Sequence, residues 1–310
     1  MNKYPKHFVI SKEMQLASQV GSPLVVLESA VITHGLPYPE NLNTARELES
    51  VVHANGAMPA TIALLHGQVH IGLTVAQMEE LASLQDTHKI SIRDLGVALA
   101  KGWSGGTTVA ATSFVAAQAG LKVFATGGIG GVHRGTPFDI SADLPQLSKT
   151  PLIVVCAGAK AILDLPATRE VLETQGIPVI GYQTDEFPAF YTSKSDLSVD
   201  VRVESPEEAA RIALATWDAG LGSALLLVVP PPKADAMSPE KMENAIQIAL
   251  REAEENDIHG SATTPFLLRR VSELTQGESL QANLALLKNN AMVAAQVAGA
   301  MHAINKTGPF

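Results

Sequence analysis

Two ionisable side chains stand where apolar runs stop. Leu152-Ile-Val-Val-Cys-Ala-Gly-Ala runs into Lys160, and Leu24-Val-Val-Leu runs into Glu28. A lysine at the end of a buried strand is a candidate amine nucleophile, because desolvation disfavours its charged form and frees the lone pair to attack a carbonyl. A solvated lysine opening a helix is the plainer alternative. A carboxyl group against an apolar strand end can carry a raised pKa and serve as an acid; a salt bridge or a helix cap would also place Glu28 there. Between these two lies Thr126-Gly-Gly-Ile-Gly-Gly-Val-His-Arg-Gly135, with four glycines in the five residues 127–131. Such glycine density marks close approach of the backbone to a ligand or a tight crossover turn. The run lacks the spacing of a dinucleotide fingerprint, since His133 occupies the third glycine position.

Three further groups gather around that stretch. Ser104-Gly-Gly-Thr-Thr108 precedes an expected helix, and free N–H groups there would suit an anion; capping by Thr107 is the alternative. Asp139 and Asp143 are separated by Ile-Ser-Ala. An extended segment puts Ser141 and Asp143 on one face, whereas a helical one pairs Asp139 with Asp143. Either arrangement suits a hard divalent cation held by few carboxylates and several waters, and helix capping by Ser141 or Asp143 is the competing use. His133 can serve as a ligand, a phosphate contact or a turn residue.

The elements that must position these groups alternate between strand and helix. Strands are expected at residues 23–27, 60–65, 68–71, 89–92, 122–125, 152–155 and 178–180, with His66-Gly67 as a hairpin turn. Helices are expected at residues 44–54, from Thr74 with Gln77 completing a capping box, at 107–118, from Ser205-Pro-Glu-Glu208, from Ser238-Pro239, from Thr264-Pro265, and at 279–304. The loop 182–196 carries Phe187, Phe190 and Tyr191 and reads as a packed flap or a subunit contact. This alternation predicts a layered α/β/α single domain over residues 1–310 with a mostly parallel central sheet, and ligands at the strand carboxyl ends.

Bulk properties narrow the function classes. The 310 residues carry 22 basic and 31 acidic side chains, a net charge of −9, which argues against a nucleic-acid groove but leaves room for a local basic pocket. The one cysteine, Cys156, forms no intrachain disulfide. The polar first 14 residues, broken by Pro5, do not read as a signal peptide, and no apolar run reaches membrane length. The expectation is a soluble cytoplasmic protein with a small-molecule substrate and no nucleic-acid or membrane partner.

At these residues the chain resembles the pseudouridine-5′-phosphate glycosidase family, also called indigoidine-synthase-A-like. The matching motifs include Leu27-Glu-Ser29, Thr33-His-Gly35, Arg93-Asp-Leu95, Gly106-Thr-Thr-Val-Ala110, the glycine-rich run, Phe138-Asp-Ile-Ser-Ala-Asp143, Val154 to Lys160, and Asn289-Asn-Ala291. The resemblance implies reversible cleavage of pseudouridine 5′-phosphate to uracil and ribose 5-phosphate. It implies Lys160 as the covalent lysine and Glu28 as the proton donor. Lys89, Thr108, Val109, His133, Ser141, Ala142, Asp143 and Asn283 become substrate-binding positions. Asp139 becomes the ligand of a divalent metal, Mn²⁺, and the assembly a homotrimer. The chemistry is coherent: the bond to the base is carbon–carbon, so protonating an exocyclic oxygen, as ordinary glycosidases do, is not open to it. An imine between Lys160 and the ring-opened sugar supplies another route for the electrons. Two other readings are a Schiff-base lyase acting on a different sugar phosphate and a non-catalytic phosphosugar-binding accessory protein. The chain reads Val229-Pro-Pro-Pro232 where many relatives have Asn-Pro-Ile-Pro, and Ala30 where a threonine is common.

Overall fold

A computed structural model describes residues 4–135, 138–258, 260 and 263–307. Eleven strands form one sheet, whose main path runs in the order Phe8–Ile10, Gln68–Ile71, Met58–Leu65, Leu24–Leu27, Val123–Ala125, Ile153–Cys156, Leu225–Val228, Val179–Tyr182, Val201–Val203. The short strands His88–Ile90 and Gly105–Thr107 join it through Met58–Leu65. The pairings around Leu24–Leu27, Val123–Ala125 and Ile153–Cys156 are all parallel. Antiparallel pairing occurs where Met58–Leu65 meets Gln68–Ile71 and Gly105–Thr107. The hairpin is the expected one, with His66 and Gly67 both at positive φ (50° and 69°), as a two-residue turn matched to strand twist requires.

The central strands bury consecutive residues, which point alternately to opposite faces, so both faces are covered. The long helix Glu278–Thr307 packs on Leu24–Leu27, Val123–Ala125 and Ile153–Cys156, flanked by Glu40–Ala54 and Pro206–Asp218. The helix Val109–Gln118, with Asp143–Leu147 against it, covers Leu24–Leu27 and Met58–Leu65. This is the α/β arrangement expected, a mostly parallel sheet between helices. Among the described residues no helix is long and apolar enough to cross a membrane.

Some boundaries differ from expectation, each for a local reason. The strand at Lys89 ends at Ile90, and a helix follows at Ile92–Lys101. Ser91 and Asp94 form its capping box, a signal masked by the apolar Ile90 and Ile92. Thr107 does not cap the next helix. It closes the strand Gly105–Thr107, and Thr108 is the cap, accepting from the Ala111 N–H. The aromatic loop packs as expected: Phe187, Phe190 and Tyr191 are buried, and the Phe190 N–H donates to the Ala157 carbonyl at 3.1 Å.

Candidate active site

The parallel strands bring their carboxyl ends to one edge, and the ionisable groups gather there. Glu28 follows Leu24–Leu27, Thr126 follows Val123–Ala125 in the next strand, and Lys160 lies four residues past Ile153–Cys156 in the strand beyond that. Two contacts tie these ends together. The Thr126 hydroxyl donates to Glu28. Ile129 and Ala159 form a parallel bridge, and the Lys160 N–H donates to the Ile129 carbonyl at 3.1 Å. The glycine-rich segment is thus a partial strand laid between the proton-donor candidate and the amine.

The glycines make room for the chain itself. A Cβ on Gly128 would stand 2.6 Å from the Phe190 ring, and one on Gly130 would collide with the Ser141 side chain and lie 2.8 Å from Asp143 Oδ2. Close approach is confirmed at these positions, but the approaching groups are protein side chains. Asp143, nearly fully buried, accepts from Gly130 N–H and from Ala110 N–H, both at 2.8 Å. Ala110 is in the first turn of Val109–Gln118, so Asp143 itself takes up part of the positive helix end that the sequence assigns to an external anion. Ser141 and Asp143 come together, but through a helical turn rather than an extended segment, with Ala142 at φ −60°, ψ −12° and the Asp143 N–H donating to Ser141 Oγ at 3.2 Å. Ala142 lies between them as the cap of the short helix Asp143–Leu147.

Charge and burial oppose one another at Glu28. Some of its surface remains exposed, yet loss of solvent is the dominant influence and raises its pKa above the ordinary carboxyl value. Lys160, the Thr126 hydroxyl and Lys89 pull it back down, and Asp143 adds to the rise. Lys89, half-buried on His88–Ile90, has its pKa lowered, first by burial and then by Lys160, against the pull of Asp143 and Glu28. Glu28, Lys89, Asp143 and Lys160 thus form one electrostatically coupled cluster at the strand ends. His133 also faces it: burial lowers its pKa, Asp139 raises it, and Lys160 and Lys89 lower it further.

The remaining expected positions fall around this centre. Thr108 is partly exposed at the helix cap, and the Val109 side chain is buried, so Val109 can offer a ligand only backbone. Asn283 Oδ1 lies 3.6 Å from where a Gly127 Cβ would stand. Asp139 is exposed; its carbonyl accepts from His133 N–H at 3.0 Å. Among the described residues no three His, Cys, Asp or Glu side chains assemble as a metal cage. Asp143 is committed to two amides, which leaves the Asp139 carboxylate beside His133. That donor set fits a hydrated hard cation held through one carboxylate, and not a multi-ligand site.

Sequence reasoning missed the supports. Ser29, fully buried beside Glu28, donates to the Ile62 carbonyl at 2.6 Å and accepts from Thr107 N–H at 3.0 Å. Thr107 also donates to the Ile62 carbonyl at 2.8 Å. These hydroxyls lock the Glu28 strand end to Gly105–Thr107. Thr126 was inside a recognised motif with no role attached to it, and its partner Glu28 is 98 residues away in sequence.

A partly buried amine and carboxyl group beyond parallel strand ends, one strand apart, make an arrangement that an α/β enzyme can use for proton transfer and amine chemistry. A family model described as indigoidine synthase A like protein matches residues 13–300. The pseudouridine-5′-phosphate glycosidase of Herpetosiphon aurantiacus is 54% identical over 299 residues, covering 94% of this chain and 97% of its own length. The enzyme of the same name from Caldanaerobacter subterraneus subsp. tengcongensis is 51% identical, covering 96% and 97%. Among solved structures, the prealnumycin C-glycosynthase AlnA in complex with ribulose 5-phosphate superposes with a TM-score of 0.91 at 39% identity, covering 98% of this chain and all of that one. An indigoidine synthase A-like protein of Thermotoga maritima gives 0.87 at 33% identity, covering 96% and 98%. The chain belongs to the indigoidine synthase A-like family of enzymes, the family of the pseudouridine-5′-phosphate glycosidases.

Proposed function

We propose that the protein reversibly cleaves the carbon–carbon glycosidic bond of pseudouridine 5′-phosphate, giving uracil and ribose 5-phosphate. The observation that carries this reading is the placement of the partly buried Glu28 and Lys160 beyond two parallel strand ends on either side of the Val123–Ala125 strand, coupled to each other electrostatically and to Lys89. The family relatives bear the name of that activity, and a solved relative holds a pentulose phosphate.

The steps follow from the groups present. The Lys160 amine adds at C1′ of the sugar, the bond from C1′ to the ring oxygen breaks, and Glu28 gives its proton to that oxygen. A carboxyl group with a raised pKa retains a proton to give at a pH where an ordinary glutamate has lost it. The ammonium formed by the addition passes a proton back to Glu28, which delivers it to uracil C5; the nitrogen lone pair then forms the C1′=N bond while the C1′–C5 electrons return to the uracil ring. Water then hydrolyses the imine, releasing ribose 5-phosphate and restoring the amine. Lys89 supplies positive charge for the 5′-phosphate, with backbone from Val109 and the Ser141, Ala142 and Asp143 turn around the sugar. Thr108, His133 and Asn283 complete the substrate surface. A divalent cation, Mn²⁺ in our proposal, would be held by Asp139 with water and would neutralise phosphate charge. We extend the reading to a cytoplasmic homotrimer, which sedimentation of the purified protein and fractionation of cells test.

Incubation with pseudouridine 5′-phosphate and Mn²⁺, with uracil release followed by chromatography, tests the reaction. Stoichiometric uracil and ribose 5-phosphate support it; absence of uracil while ribose 5-phosphate still forms an adduct would favour a lyase acting on another sugar phosphate.

A further inference from the structure

The long helix Glu278–Thr307 passes directly behind the Thr126 and Gly127 turn. Asn283, Leu286, Leu287 and Asn290 recur at three-, four- and seven-residue spacing and so share one helix face. That face meets the turn: Leu287 Cδ2 lies 3.2 Å, Leu286 Cδ1 3.5 Å and Asn283 Oδ1 3.6 Å from where a Cβ on Gly127 would stand. Asn290 is 1% exposed. Its Nδ2 donates to the Thr126 carbonyl at 2.9 Å and lies 3.4 Å from the Gly127 carbonyl. Its Oδ1 is buried and has no hydrogen-bond partner among the described residues.

A carboxamide with one unsatisfied end is a costly way to fill a core position that a leucine could fill. Turning the group over would point Oδ1 at two carbonyl oxygens, so the orientation is fixed by chemistry. What the position gains is the grip of Nδ2 on two successive carbonyls. Thr126 is held on its other side by its N–H to the Val155 carbonyl at 3.0 Å, and the Gly127 carbonyl also accepts from Ala157 N–H at 2.9 Å. Asn290 therefore anchors the one residue, among those described, whose hydroxyl reaches Glu28.

We propose that Asn290 is a positioning residue for Glu28, clamping the Thr126 and Gly127 backbone to the long helix so that the Thr126 hydroxyl stays on the carboxyl group. The catalytic consequence rests on the reading of Glu28 as proton donor; the clamp itself does not. The charged groups facing Glu28 are Lys160 beyond Ile153–Cys156, Lys89 on His88–Ile90 and Asp143 on Asp143–Leu147. With them unchanged, loss of the donated hydroxyl leaves the carboxylate less stabilised, so the Glu28 pKa rises further.

The test titrates Glu28 in the full chain, labelled with ¹³C at glutamate side-chain carboxyls, the signal being the one lost in Glu28→Gln. Asn290→Leu, Thr126→Val and the double variant are compared, with Thr126→Ser restoring the hydroxyl. The expected result is an upward shift of about half a pH unit or more in both single variants, no further shift in the double, and a wild-type value in Thr126→Ser. Asn290→Leu should also lower kcat roughly tenfold with little change in KM, and move the alkaline limb of the kcat profile upward. Asn290→Ala provides the same readout if the leucine variant does not fold. A Glu28 titration unchanged in a folded Asn290 variant overturns the clamp, as does a shift that adds fully to that of Thr126→Val. The titration needs no turnover. A linked shift in a protein that releases no uracil would keep the clamp and remove the proposed reaction.

Discussion

The floor of the pocket and its rim are built from different material. Glu28, Thr126 and Lys160 follow strands whose residues are largely buried, and hydroxyls from Ser29 and Thr107 lock the Glu28 end in place. Asp139 belongs to a segment that crosses above them, where Phe138 is 98% exposed and Ile140 41%. On the floor a carboxyl group meets little water and few donors, so its pKa is raised. On the rim a carboxylate stays accessible to a hydrated ion. Groups that exchange protons or form covalent bonds gain from fixed positions and low dielectric. Groups that receive a charged, hydrated ligand gain from remaining open. The comparison therefore predicts large losses of kcat on the floor and smaller losses, confined to binding or metal response, on the rim.

The largest effect is expected at Lys160. Lys160→Ala should retain the fold by circular dichroism and lose turnover, and Lys160→Arg should fail equally because a guanidinium stays protonated. Glu28→Gln keeps the shape and cannot give a proton, so kcat should fall about 10²-fold or more. An unchanged kcat in that variant would move the proton donor off the floor.

Lys89 stands between floor and rim. Its charge can hold the 5′-phosphate far from the breaking bond, and binding energy from that remote group fixes the sugar against Lys160 and Glu28. The wild type should prefer pseudouridine 5′-phosphate over pseudouridine by roughly 10²–10³ in kcat/KM, a difference of about 3–4 kcal/mol. Lys89→Ala should erode most of that preference while barely altering the rate on the nucleoside. A wild-type preference under about tenfold would break the phosphate assignment. Asp139→Asn should raise the Mn²⁺ concentration needed for half-maximal activity about tenfold with no change in melting temperature; an unchanged metal response would remove the ion from the rim.

A second buried carboxyl sharpens the contrast from outside the pocket. Glu49 on Glu40–Ala54 accepts from the Thr61 hydroxyl, as Glu28 does from Thr126, and burial pushes it up to about 7. It faces Glu13, and among the described residues no lysine offsets the rise. Because the folded value exceeds the unfolded one, its contribution is fully present below about pH 4.5 and is lost as pH rises through about 7. Glu49→Gln should therefore match wild-type stability at pH 4 and exceed it at pH 8 by on the order of 2 kcal/mol, with activity unaltered. Denaturant unfolding at the two pH values measures this, and equal stability at both would remove the effect.

How much of this was legible in sequence depends on separation along the chain. The strand ends announced themselves because an apolar run that stops at Glu28, or continues through small residues to Lys160, carries its meaning locally. So did the Thr74 and Ser205 caps, which recur in the structure. The glycines signalled close approach but not by what, since Phe190 and Asp143 reach them from other elements. Asn290 carries no local mark at all: its partner Thr126 is 164 residues away, and only the packing of the long helix against the sheet joins them. The helix Ile92–Lys101 was missed although Ser91 and Asp94 spelled its start, because the apolar residues around them also fit a strand.

The central claim is that Lys160 forms an imine with the opened sugar. Incubation with ribose 5-phosphate and borohydride, followed by peptide mass spectrometry, tests it most directly. The account predicts a reduced ribose phosphate adduct on the peptide containing Lys160, absent from Lys160→Ala. An adduct on another lysine that persists in Lys160→Ala, or no adduct in a preparation that actively releases uracil, would contradict it.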